Sequence, residues 1–165
     1  MKRLLFTLSF IVMMSFLAVK AQTVDYTYKP LAAEGCNVKY SVANNDSSYF
    51  IVVTVRSDRM YFLSEPTMKI RTSNGEVFTF EGTVIGDGNE SFGVVSGNMV
   101  IPITGIISTA QFKVMPEQFE LIKMGISKIR LSMTPMNHER TFKRDKIGKK
   151  LYEFYLRLKN QDDDF

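Results

Sequence analysis

Apolar and polar residues alternate along most of the chain after residue 35, which predicts a succession of β-strands. The alternation is clearest at 38–42, 68–71, 99–103 and 129–133. Residues 49–55 are apolar at both sets of positions, as is typical of a strand in the middle of a sheet. The pattern therefore predicts a mainly β chain with roughly six to nine short strands.

One hairpin can be predicted with its register. A Ser-Asn-Gly loop signal ending at Gly75 separates two alternating runs. A three-residue loop sets Ile70 opposite Phe78 and Met68 opposite Phe80, and only this register gives one apolar face. We therefore expect Gly75 in the left-handed backbone conformation, which glycine adopts without a steric penalty.

Two segments have helical signals. Pro116 begins a short helix near 116–124 that Gly125 ends. From residue 145 the apolar period changes to that of a helix, which predicts an amphipathic helix near 145–159. Its apolar face carries five side chains: Ile147, Leu151, Phe154, Tyr155 and Leu158.

These elements predict a β-sandwich decorated by two helices. The alternative is an α+β sheet with the last helix packed across it. Either way, the length fits one β-rich domain over 22–160, followed by a short acidic tail at 161–165.

The first 21 residues have the composition of a cleavable signal peptide. Lys2 and Arg3 precede an apolar run at 4–19, and the small residues Val19 and Ala21 stand before a cleavage site at Gln22. No later segment is long and apolar enough to span a bilayer. The sequence therefore predicts an exported protein, periplasmic or secreted, with no transmembrane segment after cleavage.

Export changes the charge of the chain. The signal peptide carries three cations and no acid, so cleavage lowers Lys+Arg from 21 to 18 against 17 Asp+Glu, and the net charge from +4 to +1. A nearly neutral domain lacks the basic footprint that binding to phosphate backbones requires. We therefore expect no nucleic-acid partner.

The chain has one cysteine, Cys36, and one histidine, His138, so it cannot assemble a zinc site from His and Cys ligands within one subunit. We expect Cys36 to be a buried free thiol and His138 to be a surface residue in a polar stretch. A catalytic pair of the two is not expected. No catalytic, cofactor-binding or metal-binding residue is predicted, and no cofactor.

The glycine-rich segment 82–97 contains short β-like pieces at 83–85 and 92–95. Its middle part, 86–93, fits neither a calcium loop nor a phosphate-binding loop, so we expect a mobile hairpin loop there. Paired carboxylates could still cleave glycosidic bonds, provided that the fold brings two of them together. The candidates for such a pair are Asp58, Glu65, Glu76, Glu81, Asp87 and Glu90.

Residues 138–160 have the strongest excess of positive charge in the chain, with eight basic residues against three acids. Lys146, Lys150 and Arg157 follow one edge of the apolar stripe on the predicted helix, and Lys143 extends it. This helix edge is either the solvated flank of a core helix or a contact for an anionic lipid, an anionic glycan or an envelope protein.

The chain resembles small exported proteins of Gram-negative anaerobic bacteria. The resemblance rests on the Ala21-Gln22 cleavage context and on residues 117–131 and 145–152. It implies a periplasmic or secreted β-rich domain, and it brings no activity or catalytic residue. We therefore expect a non-catalytic envelope binding module whose contact surface is the helix edge or the glycine-rich segment. The alternative is a small hydrolase of envelope or dietary glycan that uses a carboxylate pair.

Overall fold

A computed structural model describes residues 21–24, 36–45, 48–96, 99–145 and 147–163, with the backbone alone at 21–24, 90–96, 99–104 and 161–163. Residues 1–20, which make up nearly all of the predicted signal peptide, lie outside the described residues. No helix in the described ranges combines the length and the apolar character needed to cross a membrane.

The described residues form eight strands and two helices, so the prediction of a mainly β chain is confirmed. The strands pair in the order β1-β2-β3-β6-β5-β4-β7-β8, and all neighbours are antiparallel. Their bounds are β1 Ala21–Val24, β2 Cys36–Asn45, β3 Ser48–Ser57, β4 Thr67–Thr72, β5 Val77–Ser96, β6 Met99–Val114, β7 Ile126–Leu131 and β8 His138–Thr141. The helices are α1 Pro116–Ile122 and α2 Gly148–Asp163.

A single curled sheet replaces the two separate sheets of a sandwich. Strand β5 joins its halves, because residues Val77 to Glu81 pair with β4 and residues from Gly82 onward pair with β6. Cys36 on β2 and His138 on β8 come within hydrogen-bonding distance although six strand positions separate these strands. The sheet therefore curls far enough to bring its two ends together.

The inner face of this curl carries the core. Because side chains alternate across a strand, each strand contributes every second residue to the inner face. Ile51, Phe112, Met68, Ile70 and Ile129 are fully buried there. The buried residues of all these strands belong to one apolar cluster, which also includes the buried face of α2. The fold is thus mainly β with a packed helix.

The prediction of a hairpin loop at 86–93 is wrong, because β5 runs through this segment and pairs with β6. The β-like pieces predicted at 83–85 and 92–95 both belong to this strand. Gly97 lies outside the described residues. The glycines interrupt the alternation that marks a strand, but they do not prevent backbone pairing. Pro102 lies opposite Gly93, beyond Ile106, the last β6 residue paired with β3. The proline thus lies where β6 has one partner strand, a position that suits a residue without an N–H for a second one.

Helix α2 packs as its apolar pattern predicts. Ile147, just before the helix, and Leu151, Tyr155 and Leu158 are buried, and Phe154 packs partly buried beside them. The helix begins three residues later than predicted and continues to Asp163, into the segment predicted to be a tail.

Aromatic rings attach both helices to the sheet. The ring of Tyr155 stacks on Phe119 of α1 at 4.4 Å between centroids and meets Tyr49 of β3 edge-on at 4.9 Å. At the exposed end of this contact, the Tyr152 hydroxyl donates to a Glu120 carboxylate oxygen at 2.7 Å. This hydrogen bond is the main cause, and partial burial the second cause, that raises the pKa of Tyr152 to about 12.

Asp145 connects the start of α2 to the sheet. Its carboxylate accepts hydrogen bonds from the backbone N–H groups of Gly148 and Lys149, at 2.9 Å each, and of Ile126 at 3.0 Å. The first two satisfy donors that the start of a helix leaves without partners, and the third ties the helix to β7. Gly125, with φ of 95°, ends α1 beside this joint as predicted.

We expect Gly82→Ala to lower the free energy of unfolding by about 1 to 3 kcal/mol, because overpacking a filled core forces neighbours to move. A Cβ at this position would lie 2.5 Å from the ring of the fully buried Phe112. Gly86→Ala on the same strand is the matched control, since a Cβ there meets no atom within 4 Å. Urea unfolding of both variants measures the difference, and equal stabilities would contradict this account of β5.

Candidate functional site

Strands β4 and β7 place four cations together on the outer side of the sheet. Lys69 and Arg71 alternate with buried Met68 and Ile70 on β4, and Lys128 and Arg130 alternate with buried Ile129 and Leu131 on β7. Because alternate residues point to opposite faces, burying the apolar set turns the charged set outward. We call Lys69, Arg71, Lys128 and Arg130 the cationic face.

The register sets like charges directly against each other. Lys69 is the partner of Arg130, and Arg71 is the partner of Lys128. Directly opposite side chains have Cβ atoms about 5 Å apart, and positions two residues along a strand lie about 7 Å apart. The four cations thus form a compact grid. Like charges in such pairs destabilise a sheet, so a bound anion would stabilise this arrangement.

Glu139 on β8 balances part of this charge. Its carboxylate lies 2.5 Å from Lys128 Nζ and 2.6 Å from both Nε and a terminal nitrogen of Arg130. The hydrogen bond from Lys128, followed by that from Arg130, lowers the pKa of this carboxyl group below its usual 4.5. The four cations and this one acid leave a local charge of +3.

Two shallow clefts border the pair of Lys69 and Arg130. One, of about 140 Å³, is lined by all four residues of the cationic face and by Val77. The other, of about 260 Å³, adds polar side chains that can form hydrogen bonds, namely Thr67, Ser132 and Asn137. Charge and neutral hydrogen-bonding groups are therefore adjacent on the same surface.

The predicted helix edge is only partly within the described structure. Lys143, Lys150 and Arg157 are exposed, and the Arg157 guanidinium lies 5.8 Å from the centroid of the Phe154 ring. Lys146 lies outside the described residues. The three described members line neither of the two clefts at the cationic face. The helix edge remains a prediction.

The expectation that His138 lies at the surface is wrong, because only 7% of it is exposed. The polar neighbours in the sequence suggested a loop, but residues 138–141 form β8 and alternate between the two faces of the sheet. His138 points inward, and its Nδ1 lies 3.8 Å from the Sγ of Cys36. Cys36 is a buried cysteine that forms no disulfide, as expected.

Sequence reasoning missed the cationic face, although a signal for it was present. The tripeptide Lys-Ile-Arg occurs at 69–71 and again at 128–130. Both copies fit strand patterns, but nothing local shows that these two strands pair. The central isoleucines, Ile70 and Ile129, are partners across the strands, which brings the flanking cations together.

Comparison of the chain with protein-family models, with curated proteins and with solved structures gave no match.

We expect Glu139 to titrate below pH 4.5 in the folded protein, as measured by carbon NMR of its carboxyl group. A lowered pKa means that these ion pairs stabilise the fold at pH values above the usual pKa and are lost as the pH falls through the lowered value. Lys128→Met should move the midpoint back toward 4.5. Lys123→Met, which removes a cation 3.7 Å from Glu120 instead, is the control and should leave the midpoint unchanged. A midpoint at 4.5 in the unmodified protein would refute the pairing.

Proposed function

We propose that this protein is an exported, non-catalytic binding module that takes an anionic glycan on its cationic face. The pairing of Lys69 with Arg130 and of Arg71 with Lys128 carries this proposal, because such like-charge pairs cost stability unless an anion lies between them. The predicted signal peptide at 1–21 supports export to the periplasm or beyond.

The surroundings of the cationic face favour a glycan over a lipid bilayer. Binding to a membrane surface is strengthened by large apolar side chains beside the cations. Among the exposed large apolar residues of the described chain, Val77 alone lines the clefts at this face. Thr67, Ser132 and Asn137 instead offer hydrogen bonds to the hydroxyl groups of a sugar.

The hydrolase alternative gains no support from these clefts. A carboxylate pair must lie within about 5 to 10 Å to cleave a glycosidic bond. Among the described residues, no acid lines either cleft at the cationic face. The acid beside them, Glu139, has its oxygens bound to Lys128 and Arg130. Glu139 therefore lowers the net positive charge of the cationic face and is not placed as a catalytic acid.

The proposal is tested by charge reversal on β4. The Lys69→Glu and Arg71→Glu double variant should bind immobilised dextran sulfate or polygalacturonate at least about tenfold more weakly, because it removes half of the cationic face. Its thermal stability should rise, since each new acid faces a cation of β7 and opposite-charge pairs contribute roughly 0.2 to 1 kcal/mol each. Lost binding in a more stable protein excludes misfolding as the cause.

The matched control reverses the same number of charges on the helix edge, as Lys150→Glu with Arg157→Glu. This variant should keep its affinity for the glycan. Loss of binding in the control alone would move the contact to the helix edge, and equal loss in both would show that net charge, and no particular surface, attracts the polymer. Binding to anionic vesicles with no binding to either polymer would replace the glycan with a lipid.

A further inference from the structure

Two side chains far apart in the sequence meet where the sheet curls. Cys36 is at the start of β2 and His138 is at the start of β8, and both project from the inner face. Their Sγ and Nδ1 atoms lie 3.8 Å apart, with 4% of the cysteine and 7% of the histidine exposed. The only cysteine and the only histidine of the chain are therefore neighbours.

A cleft of about 240 Å³ opens over this pair, and two methionines line it. Met133 and Met136 belong to the segment between β7 and β8. Met133 is buried, whereas 61% of Met136 is exposed. The cleft thus gathers a thiol, an imidazole and two thioethers, with one thioether at the entrance from solvent.

The separation of Cys36 and His138 fits two ligands of one metal ion. A sulfur about 2.3 Å and a nitrogen about 2.0 to 2.1 Å from a shared ion lie roughly 3.5 to 3.8 Å apart for tetrahedral to trigonal angles. The pair is also nearly closed to larger molecules, since so little of the thiol is exposed. An ion can reach a buried thiol that a substrate carbonyl group cannot.

The donor set selects the kind of ion. Among the described residues, no group of three or more His, Cys, Asp or Glu side chains could hold a metal ion, so Zn(II) lacks the ligands that it prefers. Glu139 also lines the cleft, but its carboxylate is bound to Lys128 and Arg130. Thiolate and thioether sulfur atoms favour Cu(I).

Charge favours the same ion. Binding Cu(I) releases the thiol proton of Cys36 to solvent and forms one copper–sulfur bond, so the net charge of the buried site does not change. A divalent ion would add a positive charge next to β7, whose outer side already carries Lys128 and Arg130. A charge buried without compensation is costly.

We propose that Cys36, His138, Met133 and Met136 form a binding site for a monovalent soft metal ion, Cu(I). Cys36 supplies the thiolate and His138 the imidazole nitrogen. Met136 transfers the ion from solvent, and Met133 completes the sulfur ligands from the buried side. The proposed ligands project from the inner side of the sheet, and none of them belongs to the four cations of the cationic face.

The test is anaerobic titration of the purified, reduced protein with Cu(I) in competition with bicinchoninate, a colorimetric Cu(I) chelator. The protein should retain one equivalent. Cys36→Ser should lower the affinity by at least about 100-fold, and Met136→Leu by about tenfold. X-ray absorption should show sulfur and nitrogen ligands on the bound copper.

Two variants keep the outcome interpretable. Met136→Leu changes an exposed side chain, so it tests the site even where Cys36→Ser fails to fold. Met124→Leu is the matched control, because Met124 is similarly exposed, at 57%, and does not line the cleft. The proposal is overturned when Cu(I) passes entirely to the chelator, when the two methionine variants lose affinity equally, or when Zn(II) displaces Cu(I) from the unmodified protein.

Discussion

Ile70 and Ile129 face each other across β4 and β7, and both are fully buried. This contact sets the register of the two strands, and a slip of one residue would move every side chain of one strand to the opposite face. With the isoleucines inside, the lysine and arginine on either side of each must lie outside. The hydrophobic effect, acting on the inner face, thus assembles four cations that repel one another on the outer face.

The same alternation separates two kinds of chemistry along β8. His138 faces inward against Leu131, and the next residue, Glu139, faces outward against Arg130. The carboxylate is therefore drawn to the cations, and the imidazole is left among sulfur atoms. One strand therefore contributes to both candidate sites, and Glu139, which also lines the cleft over the thiol, has its carboxylate bound to Lys128 and Arg130.

The sequence was sufficient wherever neighbours in the chain are also neighbours in space. The hairpin of β4 and β5 has the predicted register, with Ile70 opposite Phe78 and Met68 opposite Phe80, and Gly75 has a φ of 95°. The apolar stripe of α2 packs as its period indicates. These features depend on turn geometry and on periodicity, and both can be read within about ten to fifteen residues.

Long-range pairing accounts for what the sequence did not reveal. The partner of β4 is β7, about sixty residues further along the chain, and Cys36 meets His138 across 102 residues. Local polarity around His138 suggested a surface position, because its charged neighbours dominate the pattern. Only the curl of the whole sheet places His138 inside. That curl depends on β5, a strand that is hard to recognise in the sequence because its glycines interrupt the alternating pattern.

The exposure of the cationic face follows from where the helices go. Helix α2 packs against the inner side of the sheet, chiefly on β2 and on α1, and its aromatic contact with Tyr49 fixes it there. The Asp145 carboxylate holds the first turn of α2 to β7 through the backbone N–H of Ile126, so this joint involves no outward side chain of β7. A helix on the outer face would have required apolar residues at the positions of Lys69 and Arg130. Because Lys69 and Arg130 are charged, that surface stays open to solvent. A ligand can reach the proposed glycan-binding surface only if it is open in this way.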